Sequence, residues 1–371
     1  MATHEHHNQR AEDFLKTLPT NSAPAGLSDF PYGLKFMGKK WDYDLPSVEW
    51  LTEYYRVLKP GAFLFGFSSS RTYHRLTCRL EDVGFEIRDC IMWIYGSGFP
   101  KGLNISKAFD KVQNYVLRDK WGGYNTVLKP AYEPIVVAMK PYEGTIIQNC
   151  EKYGVGGLNI DECRIELNGD HKGGLANRVK GIGELQNDSV YSKAKRSVHD
   201  DSVGRYPSNV LLSEWAGEEL DKQSGILKSG AKKPTDNRNY GEDIPNTVLG
   251  KYKLIPCDYP ASEGGASRFF YVAKACPSDR NYGMPAGKKN THPTVKPIKL
   301  MRYLVRLLKQ PSEDFFILDA CEGSGGTGVA CMLEGVSYKG NDMDAGHHET
   351  AKMRTAFAYN ECSSELFNKA S

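Results

Sequence analysis

Two regions of the chain alternate hydrophobic patterns of helical and strand period, and a long stretch between them does not. In the first region, L-P-S-V-E-W-L-T-E-Y-Y-R-V-L at 45–58 spaces its apolar residues as one face of a helix. K-P-G at 59–61 ends that helix, and A-F-L-F-G-F at 62–67 is a continuous apolar run that predicts a buried strand. A second round follows, with a helix over 73–83, a break at Gly84 and a strand over 85–94. Upstream, S-A-P-A-G-L at 22–27 predicts only a weak strand, because Pro24 and Gly26 both oppose ladder pairing. The final third alternates in the same way, with a helix I-K-L-M-R-Y-L-V-R-L-L after H-P-T-V-K-P, a strand F-F-I-L-D at 315–319, a helix over 327–334 and a strand at 338–342. From about Asn104 to Lys289 the period fades, and Gly, Asn, Ser and Lys accumulate in basic loops such as S-K-A-K-R and G-A-K-K-P-T-D-N-R-N. Helices alternating with short buried strands imply a layered α/β sheet.

Composition narrows this picture only a little. The chain has 371 residues, 40% hydrophobic and 25% charged, with a net charge of +3, so any nucleic-acid surface has to come from local clustering. Its nine cysteines are odd in number and never spaced C-x-x-C, which argues against a disulfide framework and a zinc knuckle, and we expect no metal. The polar start M-A-T-H-E-H-H holds no apolar h-region and no long uncharged apolar run follows, so a cytoplasmic protein without a membrane partner is expected.

The strand 315–319 runs directly into A-C-E-G-S-G-G-T-G. Glycines in a tight strand-to-helix turn let a ligand lie against backbone N–H groups at the positive end of the next helix. A phosphate-binding P-loop needs a lysine that Gly326-Thr327-Gly328 lacks, whereas Gly323, Gly325 and Gly328 do fit the dinucleotide spacing. Asp342 ends the next strand, where a ribose-binding carboxylate belongs. Asp319 stands before the turn, where it would repel a pyrophosphate and attract an ammonium group, as on S-adenosylmethionine. From the loop alone, a sulfonium cofactor, a dinucleotide and a plain turn all stay open.

A second stretch, D-F-P-Y at 29–32, shifts the balance. Methylating an exocyclic amine requires holding a poor nucleophile whose lone pair is delocalised into its ring. Asp29 can accept one N–H, and the backbone carbonyl of Phe30 the other. Tyr32 offers a stacking face worth about 1–3 kcal/mol, and Pro31 stiffens the loop. An Asx-Pro turn without chemistry is the alternative.

Together these motifs resemble the DNA amino-methyltransferases, adenine N6 or cytosine N4, of the permuted (beta) order in which the catalytic motif precedes the S-adenosylmethionine motif. The usual tetrapeptide there is Asp-Pro-Pro-Tyr. The resemblance extends through E-D-F-L-K-T-L-P at 12–19, F-M-G-K-K-W-D at 36–42, R-V-L-K-P-G-A-F-L-F-G-F, S-R-T-Y-H-R-L, G-F-E-I-R-D and W-I-Y-G-S-G-F-P-K, and resumes at A-S-R-F-F-Y-V-A-K and N-T-H-P-T-V-K-P. It implies a doubly wound, Rossmann-like methyltransferase sheet with an inserted target-recognition region. Residues 1–103 are then the catalytic half, 104–289 the insertion with some core elements, and 290–371 the cofactor half.

The resemblance further implies that Asp29, Phe30, Pro31 and Tyr32 hold the target base, most simply adenine. Asp319, Cys321, Gly323, Ser324, Gly325 and Asp342 are implied as S-adenosylmethionine contacts, completed by Thr291, His292, Pro293 and Lys296. Capping of the following helix is the alternative for His292. Lys193, Lys195, Arg196, Lys232, Lys233 and Arg238 are implied as phosphate contacts to double-stranded DNA. The base leaves the stack by flipping, and the methyl group passes directly from sulfonium to amine. A bacterial or phage-infected cytoplasm, a homodimer and a cognate restriction nuclease are the implied context.

Departures from the pattern define the alternatives. Phe30 replaces a proline, Cys321 a cofactor-packing phenylalanine, and Glu322 adds a charge beside it, so a non-catalytic DNA-binding relative stays open. Ser28 precedes Asp29, and a one-residue shift favours cytosine N4. RNA and protein glutamine amides are the remaining substrate classes. A cytosine C5 mechanism is rejected because Ala275-Cys276-Pro277 places its proline after the cysteine.

Overall fold

The computed structural model describes residues 2–35, 38, 40–96, 98, 100, 102–166, 204–229, 262–273 and 276–370. They divide into two compact units, one of Met1–Asn159, Asn209–Ala216 and Val272–Ser371, the other of Ile160–Ser208 and Gly217–Tyr271. In chain order the elements begin with β1 (His4–His7), α1 (Ala11–Thr17), β2 (Ala23–Asp29), α2 (Val48–Val57), β3 (Leu58–Phe67), α3 (Tyr73–Asp82) and β4 (Glu86–Ile94). There follow α4 (Ile105–Lys111), α5 (Tyr115–Lys120), β5 (Tyr132–Met139), α6 (Ile146–Tyr153), β6 (Val210–Ser213), α7 (Glu214–Ser224), β7 (Leu227–Ser229) and β8 (Ser262–Gly264). The chain closes with β9 (Tyr271–Ala273), α8 (Ile298–Leu308), β10 (Phe316–Asp319), α9 (Gly326–Leu333), β11 (Ser337–Asn341) and α10 (Ala345–Ala370).

Among the described residues, nine strands form one sheet in the order β1-β11-β10-β2-β3-β5-β4-β6-β9. Neighbours from β1 to β3 are parallel, as are β4 and β6, while β5 runs antiparallel to both β3 and β4. The last strands of the chain therefore insert between the first two. From the β10–β2 pair the chain winds outward in opposite directions, to β11 on one side and β3 on the other. This is the topological switch point of a doubly wound sheet, where a crevice opens beyond the carboxyl ends of the strands.

The pair at the switch point is tied by side chains as well as by its ladder. The Tyr54 hydroxyl donates to the Leu318 carbonyl at 2.8 Å and lies 3.2 Å from Ser28 Oγ, which accepts from Ala320 N at 3.3 Å. Gly26 pairs with Leu318, and a Cβ there would fall 2.7 Å from Leu64 Cδ1 and 2.9 Å from the Tyr54 ring. Glycine, which argued against a strand at this position, is what lets Tyr54 cross it. The other objection, Pro24, is absorbed by a register shift between Ala23 and Ala25, whose partners jump from Leu58 to Phe63.

The helices read in the sequence form for the expected reasons. Ser47 caps α2 by accepting from Trp50 N, and Trp50, Leu51, Tyr54 and Val57 bury its inner face. The spacing of α8 likewise buries Leu300, Met301, Leu304, Val305 and Leu308, and Asp279 Oδ2 accepts from its Ile298 N. Asp279, not His292, is thus the side chain that caps α8. Four strands of the sheet, β1, β5, β6 and β9, lie outside the periodic regions. β1 is polar in sequence, and β5 falls inside the stretch read as irregular although Pro134 to Met139 form an apolar run, buried throughout.

In the second unit, β7 pairs antiparallel with β8, Ile165 bridges Arg205, and the Asp221 carboxylate accepts from the Ser267 N and Oγ at 2.7 Å each. Lys193, Lys195, Arg196, Lys232, Lys233 and Arg238 lie outside the described residues. No helix among the described residues is long and apolar enough to cross a membrane.

Candidate active site

A cavity of about 380 Å³ opens at the carboxyl ends of β10 and β2. Asp29, Phe30, Pro31 and Tyr32 line it together with Asp319, Cys321, Gly323, Ser324, Asp342, His292 and Lys296. The two motifs, separated by almost the whole chain, are brought together because their strands are neighbours. Gly325 and Thr291 are not on its wall.

On the β10 side the floor is Asp319, only 1% exposed. Burial pushes its carboxyl up to about 7, against the pull of hydrogen bonds from Thr327, Ser28 and the Cys321 N–H. The loop beyond it turns through Gly323 at φ +52° and Gly325 at φ +77°, in the left-handed region that favours glycine. A Cβ at Gly325 would also fall 2.8 Å from the Ala351 Cα of α10. Asp342, at the end of β11, accepts from Gly323 N at 2.9 Å and from Asp344 N at 2.8 Å, so it fixes the loop as well as facing the cavity.

The departures from the family pattern have places of their own. The Cys321 thiol points to the Asp29 carbonyl at 3.4 Å, and burial raises its pKa well above the ordinary value. Glu322 turns from the loop to His6 Nδ1 at 2.7 Å, His348 Nδ1 at 3.3 Å and the Tyr338 hydroxyl at 3.3 Å. Burial pushes the Glu322 carboxyl up and the His6 imidazole down, both toward their uncharged forms. This explains the polar strand β1: its buried histidine answers a buried acid on the loop after β10.

On the β2 side, the Phe30 ring packs edge-on against Trp50 and Tyr54, with centroids at 5.8 and 6.2 Å, and is 2% exposed. Gly66 makes the room, since a Cβ there would lie 2.6 Å from the ring. Ser28 is fully buried, its hydroxyl between Tyr54 and Ala320 N, which leaves Asp29 as the acid at the strand end. The loop after it is held by a residue that sequence reading gave no role. Asp42, 2% exposed, accepts from Tyr32 N at 2.7 Å, Gly33 N at 3.1 Å and Leu34 N at 3.2 Å. Thr72 Oγ1 secures the Tyr32 carbonyl at 2.9 Å.

At the centre of the site is a charge cluster. Lys296 Nζ lies 2.5 Å from Asp29 Oδ2, 3.2 Å from the Tyr32 hydroxyl and 3.5 Å from Glu133 Oε2. The Tyr32 hydroxyl donates to Asp29 Oδ1 at 2.9 Å and also reaches Glu133 at 3.3 Å. Burial alone would lower the lysine pKa, but Asp29 and Glu133 reverse it and hold Lys296 above its ordinary value. Burial and the same two carboxylates raise Tyr32 well above the phenol range, so it stays a donor. Lys296, expected to complete the cofactor pocket, thus has its ammonium on the D-F-P-Y motif.

His292 faces the glycine loop and has His347 edge-on at 4.5 Å and Trp41 stacked at 6.3 Å. Burial, then the cationic groups around it, lowers His292 to about 3, so it is neutral. Sequence reading missed Asp42, Glu133, Trp41 and Arg354. Glu133 was legible in principle, because it immediately precedes the apolar run of β5; Asp42 and Arg354 carry no spacing signal. Among the described residues no group of three or more His, Cys, Asp or Glu is placed to hold a metal.

The fold is that of a doubly wound α/β methyltransferase, and the family model described as DNA methylase, of the N6/N4 type, matches residues 27–353. The chain belongs to that family. Among curated proteins it is similar to the type II methyltransferase M.HindIII of Haemophilus influenzae, 32% identical over 191 residues, 39% of this chain and 61% of the relative. The match therefore spans less than two thirds of that protein's length. Among solved structures it resembles the cytosine-N4-specific PvuII DNA methyltransferase, 14% identical over 97% of this chain and 92% of that one, TM-score 0.46. It also resembles the M1.HpyAVI–SAM complex, 13% identical over 95% and 100%, TM-score 0.41.

Proposed function

We propose that the protein methylates the exocyclic amine of a flipped base in double-stranded DNA, with adenine N6 as the acceptor. The observation that carries this reading is the cavity itself, where Asp29 at the end of β2 and Asp319 at the end of β10 face one space. S-adenosylmethionine is the methyl donor of the N6/N4 family, and when bound it supplies an electrophilic methyl on a sulfonium. The residues present fit it: a buried carboxylate with a raised pKa, Asp319, suits an ammonium, and Asp342 suits a ribose diol.

On the acceptor side, Asp29 takes one amine N–H and the backbone carbonyl of Phe30 the other, which aligns the nitrogen lone pair and draws electron density toward it. Tyr32 stacks on the base. Phe30 is compatible with this role because its ring is a core residue and the group required is its carbonyl. The burial of Ser28 supports Asp29 as the motif's first residue, and this favours adenine over cytosine. The test is digestion of DNA treated with the protein and S-adenosylmethionine, followed by nucleoside mass spectrometry. N6-methyladenine is expected; N4-methylcytosine overturns the base assignment, and unmodified DNA with measurable cofactor binding supports the non-catalytic relative.

Two predictions arise here. Asp319 must be ionised to attract an ammonium, and in the free protein it loses its proton near pH 7. Cofactor affinity is therefore expected to rise with pH up to about 7 and then level, falling by up to about tenfold per unit below it. Calorimetric titration across that range checks this; an affinity flat with pH contradicts it. Asp42→Ala releases three backbone N–H groups of the loop. It is expected to lower kcat by about 10–100-fold at unchanged cofactor affinity, because small displacements of an aligned nucleophile cost that much. Steady-state kinetics beside calorimetry read both.

A further inference from the structure

Both oxygens of Asp29 are already occupied by donors of this chain. Oδ2 accepts from Lys296 at 2.5 Å and Oδ1 from Tyr32 at 2.9 Å. Each oxygen can take a second donor, but the functional reading above asks this carboxylate to draw electron density toward a target amine, and an ammonium 2.5 Å away offsets that charge. Tyr32 is held in place by its own backbone contacts to Asp42 and Thr72. Lys296 has a flexible stem and a second carboxylate within reach, Glu133 Oε2 at 3.5 Å, with the Tyr32 hydroxyl at 3.2 Å between the two acids. Its ammonium also lies 4.8 Å from the centre of the Phe67 ring and 5.5 Å from that of Tyr32, a site where a cation is stabilised without belonging to one acid.

We propose that Lys296 is a displaceable plug of the amine clamp, and that Glu133 is the carboxylate that receives it when a base arrives. In the base-free protein the lysine sits on Oδ2 and neutralises the part-buried Asp29 carboxylate, whose other oxygen is held by Tyr32. An arriving amine replaces one N–H donor on Asp29 with another, while Lys296 shifts to Glu133 and stays paired. A base that carries a carbonyl at that position has no N–H to exchange, so the plug stays in place. Glu133 is in this account a positioning residue that acts through Lys296. It is held in turn by Tyr95, whose hydroxyl lies 3.4 Å from Glu133 Oε1.

The inference rests on the functional reading, and a double-mutant cycle separates the two. Methyl transfer to duplex DNA of mixed sequence is measured for the wild type, Glu133→Gln, Lys296→Met and the double variant, with cofactor affinity and thermal midpoint for each. Glu133→Gln is expected to lower kcat/KM for DNA at least about tenfold at unchanged cofactor affinity, because Lys296 then stays on Asp29. The loss is expected to vanish in the Lys296→Met background, where no receiver is needed, so that the double variant matches Lys296→Met within about threefold. A Glu133→Gln variant as active as wild type, or one whose loss persists in the double variant, overturns the plug. A wild type that transfers no methyl group to DNA overturns the functional reading, and the plug with it.

Discussion

Asp29→Ala is expected to lower methyl transfer to DNA by about 10³-fold or more while cofactor affinity stays within a few fold of wild type. Asp29 lines the cavity from the end of β2, whereas Asp319, Gly323 and Asp342 line it from the ends of β10 and β11, the acceptor and cofactor sides of the reading proposed above. On the proposed reading, the substitution removes the acceptor that orients the amine. It also takes the nearest counter-charge from Lys296, which is 8% exposed and is left with Glu133 and the Tyr32 hydroxyl. Some loss of stability is expected for that reason, so the thermal midpoint is measured beside the rate. Asp29→Asn separates the effects: the amide keeps a carbonyl acceptor but not the charge, and an intermediate rate is expected. A rate in Asp29→Ala within tenfold of wild type contradicts the assignment of this residue.

The largest effect on stability is expected at Arg354, a fully buried cation of α10. Its guanidinium donates to the carbonyls of Ser324 at 2.5 Å, Tyr282 at 2.9 Å and Asp279 at 2.9 Å, and to Ser324 Oγ at 3.1 Å. Burial lowers its pKa only to about 10, so it remains charged at neutral pH. One side chain thereby joins the glycine loop to the segment whose Asp279 caps α8. Arg354→Leu leaves the buried Ser324 carbonyl and the part-buried carbonyls of Tyr282 and Asp279 without this donor, at about 1–3 kcal/mol for the buried group, less for each of the other two, and roughly 3–5 kcal/mol in all. The thermal midpoint is expected to fall by about 4–6 °C, and cofactor affinity with it because the loop is released. A midpoint within about 2 °C of wild type contradicts this role.

How much of this was legible in the sequence follows from the physics of each element. Where a strand or helix buries one face against the core, its period shows, and α2, α3, β4, α8, β10, α9 and β11 stand close to where the pattern placed them. Strand β2 looked weak because Pro24 and Gly26 carry local penalties, but a register shift accommodates the first and the second seats Tyr54. Strand β1 was invisible because H-E-H-H is polar, and its partners are far away in sequence: it pairs with β11, and His6 meets Glu322 more than 300 residues on. The two motifs of the site were readable singly, from an acid, glycines and an aromatic at fixed spacing. Their meeting was not, since it depends on β10 lying beside β2.

The same limit explains the residues that bind the site together. Asp42 acts through three backbone N–H groups, Arg354 through carbonyls and Glu133 through a lysine over 160 positions away. None of these interactions leaves a repeat or a spacing in the chain. Phe30, the departure from the usual tetrapeptide, has its ring in the core, where Gly66 opens a slot for it beside Trp50.

The most direct measurement is single-molecule sequencing of chromosomal DNA from a methylation-free bacterial host expressing the protein, beside the same host expressing Asp29→Ala. N6-methyladenine within one short sequence motif is expected in the first DNA and none in the second. Unmodified DNA from a host making folded, cofactor-binding protein, or the same methylation with Asp29→Ala, would contradict the amine clamp.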